Sequence, residues 1–214
     1  GVPDYHIDQL FNEADSDTFE KLNCDQCLRG NCGNGECTMS MSYQEGSSWS
    51  AYEGLDECYV GGLHDEAVYV DKDTAVPAMN DVNPLTAAAF RFPLKFGCQT
   101  HLTGLFKTQL ADGIMGMDNG ASSFWSQMFE AHKISVQQFS LCFSRQPTED
   151  RKGTEAGAMT MGGYDTRLHD KSEIVYATTD HKKGYYSVHV RKMYLRAGSV
   201  GDSAGSTDDS LELV

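Results

Sequence analysis

Four cysteines stand within fourteen residues in the pattern Cys24-x2-Cys27-x4-Cys32-x4-Cys37. Two chemistries suit that spacing. Four thiolates could close a tetrahedral zinc site of the knuckle type, with Cys where such knuckles carry His, and the interspersed glycines permit the tight turn. The same sulfurs could instead pair as disulfides. Knuckles serve nucleic acid, and here 17 Lys+Arg oppose 31 Asp+Glu, a formal charge of −14 that repels phosphate. Disulfides are therefore the expected state, with no bound metal and no cofactor, and three internal connectivities remain open. Cys58, Cys98 and Cys142 bring the total to seven. The odd number leaves one thiol either to pair outside this stretch or to remain as a buried free cysteine.

Other patterns offer less. Gly201-Asp202-Ser203-Ala204-Gly205 matches the G-x-S-x-G of a serine-hydrolase elbow, yet no His follows His189, so the later members of a triad are missing. The seven His (6, 64, 101, 132, 169, 181, 189) show no metal-ligating spacing. Met39, Met41 and Tyr43 alternate with Thr38, Ser40 and Ser42, the period of a half-buried strand. Gln44 to Ser48 reads as a turn with Gly46 in it, and Trp49–Val60 as the returning strand. Such a glycine-tipped hairpin can fold over a cleft, hydrogen-bond a bound chain through its main chain and bring a Tyr hydroxyl to the site. Taken alone, an ordinary hairpin explains the same residues.

The elements needed to position these residues are mostly strands. Residues 1–22 read as loop and short turns, and 24–37 as a cross-linked loop. Further strands are expected at Ala67–Asp71, Ala89–Cys98, Phe139–Phe143, Ala158–Met161, Ile174–Ala177 and Tyr185–Leu195. One amphipathic helix opens at Ser122/Ser123, with Phe124/Met128, Trp125/Phe129 and Met128/His132 at i, i+4 spacing. Residues 197–210 are rich in Gly, Ser and Asp and read as a loop. Many short strands, one helix and dispersed glycines predict an all-β architecture. The longest apolar runs are four residues, where a bilayer-spanning helix needs about 20. The composition thus disfavours nucleic-acid partners and membrane spans. The chain opens Gly1-Val2-Pro3-Asp4, without initiator Met or signal-type segment, which suggests a processed end or an interior piece of a longer protein.

Several segments, in collinear order from about residue 4 to 195, resemble the pepsin-like aspartic endopeptidases, closest to their nepenthesin-like, cysteine-rich branch. Asp8 to Asn12 with Ser16-x-Thr18-Phe19 is similar to the stretch after the first catalytic loop. The 24–37 cluster resembles the cysteine-rich insert. Ser42-Tyr43-Gln44-Glu45-Gly46-Ser47 resembles the flap, and Asp56-Glu-Cys-Tyr-Val-Gly the strand leaving it. Phe96-Gly97-Cys98, Ala111-Asp112-Gly113-Ile114-Met115-Gly116-Met117, Phe139-Ser140-Leu141-Cys142, Met159-Thr-Met-Gly162-Gly163-Tyr164-Asp165 and Gly184-Tyr185-Tyr186 each have family counterparts.

The resemblance implies a pepsin-like bilobal β-barrel, with residues 1–157 as most of the N-terminal lobe, the flap hairpin at 38–60, and 158–214 as crossing strands and the start of a second lobe. It implies substrate contacts from Tyr43, Gly46 and Ser47 in the flap and from Asp112, Gly113 and Ile114 nearer the cleft floor. It also implies a Cys98–Cys142 disulfide, a polypeptide substrate or protein partner, and a secretory, extracellular or vacuolar/lysosomal setting. The family's chemistry needs two Asp-Thr/Ser-Gly loops whose aspartates share a proton and activate water. None of the six Asp-Thr or Asp-Ser dipeptides here is followed by Gly. By the family's order the first loop falls just before Gly1 and the second just after Val214, so flanking parts of the same protein are expected to supply the dyad and no catalytic residue is expected here. The competing expectation is an inactive pepsin-like protein that serves as a binding or structural module.

Overall fold

The computed structural model describes residues 10–60, 88–109, 111–143, 157–166, 174–179 and 185–193, and the chain divides into two compact units, Gly1–Ser172 and Glu173–Val214. The expected strand at 67–71 and the loop at 197–210 lie outside the described residues.

Among the described residues of the first unit, seven strands appear in chain order: β1 (Glu20–Lys21), β2 (Asn31–Gly33), β3 (Glu36–Ser42), β4 (Ser48–Cys58), β5 (Phe92–Leu102), β6 (Phe139–Phe143) and β7 (Gly157–Met161). Short 3-10 turns at Glu13–Asp15 and Gly104–Lys107 and helix α1 (Phe124–Glu130) accompany them. The all-β expectation holds, with antiparallel pairing throughout.

The long strand β4 organises the larger sheet. β5 lines one edge over ten register pairs, from Trp49↔Leu102 to Cys58↔Phe92, with a bulge at Ser50/Ala51. The opposite edge is shared: β3 takes Ser48 to Tyr52, and β1 takes Gly54 and Leu55. β2 adds to β3 through Asn31↔Thr38, Cys32↔Cys37 and Gly33↔Glu36. The turn joining β2 to β3 is Asn34-Gly35, both with positive φ (53° and 86°), as a two-residue type I′ hairpin requires. The cysteine-rich segment is therefore partly a hairpin and not only a loop.

The core lies where β5 meets α1. Phe92, fully buried, stacks edge-on against Phe124 with ring centroids 5.4 Å apart, and Met128 completes the cluster. The helix also shields the free edge of β5: the Gln127 amide accepts from Lys95 N (2.9 Å) and donates to Lys95 O (3.0 Å), as a neighbouring strand would. A second aromatic cluster joins Phe11, Phe19 and Phe96, with centroids 5.4–6.3 Å apart. Phe19 lies over Gly54, where any side chain would collide with its ring.

Some element expectations need correction. The expected 89–98 strand begins later, at Phe92, and runs on to Leu102, because residues 88–90 form a helical turn before the pairing with β4 begins. Helix α1 ends at Glu130, and His132 adopts φ 57°, so the Met128/His132 spacing is not helical. In the second unit neither 174–177 nor the described part of 185–195 forms a strand; only single bridge residues occur, at Ser187 and Met193. A strand forms only when a neighbour takes up its N–H and C=O groups. Val175 and Tyr176 are instead 91 % and 77 % exposed.

Candidate functional site

The hairpin of β3 and β4 turns at Tyr43–Ser47. Tyr43 N donates to Ser47 O at 2.8 Å and Gly46 N to Tyr43 O at 3.0 Å, while Gly46 takes φ 95°, a conformation that favours glycine. The tip is seated on the segment that follows β5. Ser47 is buried, its Oγ accepting from Leu105 N at 3.0 Å. Ser48 N donates to Thr103 Oγ1 (2.8 Å) and Thr103 N to Ser48 O (2.9 Å). Gly104, at φ 59°, makes this approach possible, since a Cβ there would lie 2.9 Å from Ser47 Cα. The Tyr43 ring packs edge-on against Phe106 (5.3 Å), and its hydroxyl accepts from Trp49 Nε1 at 3.3 Å. The Tyr43 O–H proton thereby stays available to donate to a bound group.

The cysteine-rich segment is held beside this hairpin by two disulfides, Cys24–Cys32 and Cys27–Cys37, with Cα separations of 4.9 and 5.3 Å. One of the three open connectivities is thus selected, and all four cysteines pair within the cluster. The sulfurs of Cys27 and Cys37 lie close to the Glu53 carboxylate, a grouping that does not suit a metal, because disulfide sulfur is not a thiolate ligand. Glu53, only 2 % exposed, has another task. Its Oε2 accepts from Leu28 N (2.6 Å) and its Oε1 from Arg29 N (2.8 Å) and Gly30 N (2.7 Å). Three consecutive main-chain donors converge on one carboxylate. Gly30 must be glycine here, as a Cβ would sit 2.6 Å from Thr38 O.

Glu53 is a site-shaping residue that the motif reading misses. A usable signal exists: Trp49, Ala51, Glu53 and Leu55 share one face of β4 by period 2, so the carboxylate falls among residues destined for burial.

On the other face, Tyr52 donates its hydroxyl to the Glu13 carboxylate, contacts the Cys98 thiol, and lies under Lys21 Nζ, 4.4 Å from the ring centroid. Burial first, and then the bond to Glu13, hold its phenol well above the ordinary tyrosine range. Asp56 accepts from Ser16 Oγ (3.0 Å), Thr18 Oγ1 and Glu57 N (2.8 Å). Burial pushes its carboxyl up, but these three donors outweigh it and hold the group below the usual aspartate value. The Ser16-x-Thr18 stretch is therefore anchored to β4.

A groove of about 620 Å³ runs beside β3, lined among others by Arg29, Asn31, Glu36, Ser40, Met41 and Tyr52. Of the expected binding residues, Tyr43, Gly46 and Ser47 meet at the hairpin tip, with the Ser47 side chain turned inward. Asp112, Gly113 and Ile114 are exposed in an irregular stretch before α1. None of the six lines the groove.

The Cys98–Cys142 bridge implied by the resemblance is not formed. Cys98 is a free, half-buried thiol on β5 facing Tyr52, whereas Cys142 lies on β6, which pairs with β7 in a separate sheet. Cys58 is also a free thiol, raised by burial and by the adjacent Asp56 and Glu57 carboxylates. Among the described residues no helix is long and apolar enough to cross a membrane.

A family profile described as the xylanase inhibitor N-terminal domain matches residues 5–163, the stretch that carries the β3–β4 hairpin, the disulfide cluster and both sheets. The collinear motifs, the antiparallel β architecture and this match agree, and the chain belongs to the xylanase inhibitor N-terminal family, a domain family of the pepsin-like aspartic proteases.

Proposed function

We propose that this chain forms the flap-bearing part of a pepsin-like aspartic endopeptidase, of the cysteine-rich nepenthesin-like kind, that works in the secretory pathway or a vacuolar, lysosomal or extracellular space. An extended polypeptide lies beneath the hairpin tip, where the Tyr43 hydroxyl and the main chain of Gly46 and Ser47 contact it, with Asp112, Gly113 and Ile114 nearer the floor. Hydrolysis comes from two aspartates carried by flanking parts of the same protein. Two carboxylates held together cannot both ionise, so one keeps a proton while the other draws a proton from water attacking the peptide carbonyl. In this reading residues 1–157 belong to the first lobe and 158–214 cross into the second.

The seated hairpin carries the proposal: its tip is glycine-turned, and its Tyr43 hydroxyl is oriented by Trp49 with a proton left to donate. A second reading, an inactive protein-binding or inhibitor module, draws support from the name of the matching family and from the lack of any Asp-Thr/Ser-Gly in this chain. Cleavage of an unfolded protein at about pH 3–6 separates the two, with this chain and the flank-extended protein assayed side by side. The enzyme reading expects pepstatin-sensitive cleavage by the extended protein and none by the 214-residue chain. A folded extended protein without activity would overturn the enzyme reading.

A further inference from the structure

The two long edges of the larger sheet are treated differently. β5 has its edge taken up at Lys95 by the Gln127 amide. The outer edge of β3 is left open over its second half. Tyr43 N bonds to Ser47 O across the hairpin, so by the alternation of an antiparallel ladder Met41 and Met39 also point their main-chain groups toward β4. Thr38, Ser40 and Ser42 point theirs the other way. β2 serves Thr38 through Asn31 and then stops. The N–H and C=O of Ser40 and Ser42 meet no partner among the described residues.

The cause is Glu53. Were β2 straight, Arg29 would fall opposite Ser40. The buried carboxylate instead gathers the amides of Leu28, Arg29 and Gly30 and draws that segment out of line. The vacated edge opens on the groove that Arg29, Asn31, Glu36, Ser40 and Met41 help to line.

We propose that this edge receives an extended, basic polypeptide segment that adds to β3 as a further antiparallel strand, at a place separate from the hairpin tip. Four main-chain groups, two donors and two acceptors, match another backbone in extended form. The charge points to a basic occupant. Arg29 is compensated by Asp118 (3.5 Å), whereas the exposed Glu36, which lines the groove from the part of β3 that β2 covers, has no ion-pair partner among the described residues. The chain as a whole carries −14, which favours encounter with a positive segment.

An eight-residue peptide alternating Lys with Thr or Val serves as probe, beside a twin N-methylated at alternate residues, which keeps charge and side chains but removes one edge of its donors. Titration of the full chain, with amide exchange at each concentration, is expected to show salt-sensitive binding and slowed exchange at Ser40 and Ser42. The methylated twin binds at least tenfold more weakly. Glu36→Gln weakens the parent peptide by about two- to fivefold, as loss of an exposed ion pair does. Equal binding of the twin, protection at Gly46 in place of Ser40 and Ser42, or no binding up to millimolar peptide would overturn the proposal. None of these outcomes depends on hydrolysis, so they bear on this edge and not on the catalytic reading.

Discussion

Replacing Glu53 by Gln removes a charge while keeping the side chain's shape, and the geometry sets what that costs. Oε1 holds Arg29 N and Gly30 N, and Oε2 holds Leu28 N. A glutamine amide oxygen can keep the first two bonds as neutral ones, each weaker by about 0.5–1 kcal/mol. Its NH2 group then faces the Leu28 N–H, donor against donor, and a buried donor left without an acceptor costs about 1–3 kcal/mol. The total is on the order of 2–5 kcal/mol, because at 2 % exposure water has no ready access to repair the loss. Rotating the amide only moves the conflict, orphaning two donors instead of one. The Cys24–Cys32 and Cys27–Cys37 bridges keep the segment closed, so the penalty appears as strain and cannot be relieved by release. In urea the midpoint should fall by about 1–2 M with unchanged slope, and exchange at amides 28–30 should quicken. Glu57→Gln, at an exposed position on the same strand, is the control and should stay within about 0.5 kcal/mol of the parent. A Glu53→Gln midpoint within about 0.3 M of the parent would refute the reasoning.

Gly104→Ala should destabilise the chain by about 2–3 kcal/mol, seen in the same urea midpoint, since both its φ of 59° and the Ser47 atoms oppose a Cβ. The Tyr43 amide should exchange faster in that variant as the hairpin tip loses its seat. The Asp56 carboxyl is depressed in the folded chain, so its contribution is present above the ordinary aspartate value of 3.8 and lost as pH falls below it. Asp56→Asn should flatten that part of a stability-against-pH curve, and an unchanged curve would remove Asp56 as the cause. Peptide mapping without reduction should recover Cys24–Cys32 and Cys27–Cys37 pairs, with Cys58 and Cys98 alkylated after unfolding. Recovery of a Cys98–Cys142 peptide would contradict the thiol state described above.

What the sequence disclosed tracked how local the cause was. Met39, Met41 and Tyr43 alternate, and Gly46 marks a turn, so the hairpin was legible to within a residue or two of its strands at Glu36–Ser42 and Ser48–Cys58. Ser123 heads α1 as its cap position suggested. Asn34-Gly35 carried an equally local hairpin signal, hidden by the attention that four cysteines draw. The disulfide connectivity was not legible, because it depends on which sulfurs the fold brings together. Asp56 serving Ser16 and Thr18, about 40 positions earlier, is likewise a contact made by folding alone. The resemblance implied a substrate contact from Ser47, but its side chain is turned inward onto Gly104 and Leu105. The expected strands at 174–177 and 185–195 matched strand chemistry but formed no ladder among the described residues, and propensity without a ladder does not make a strand.

The proposed function puts an extended polypeptide beneath the Tyr43 hairpin. The most direct test is residue-resolved amide exchange on the flank-extended protein at about pH 4, with and without pepstatin, a peptide-like ligand. Bound pepstatin should slow exchange across Gln44–Ser47, most at Glu45 and Gly46, and that protection should be lost in Gly104→Ala. Unchanged exchange at the tip while pepstatin is bound, or protection confined to residues remote from it, would mean that the hairpin does not cover the bound chain.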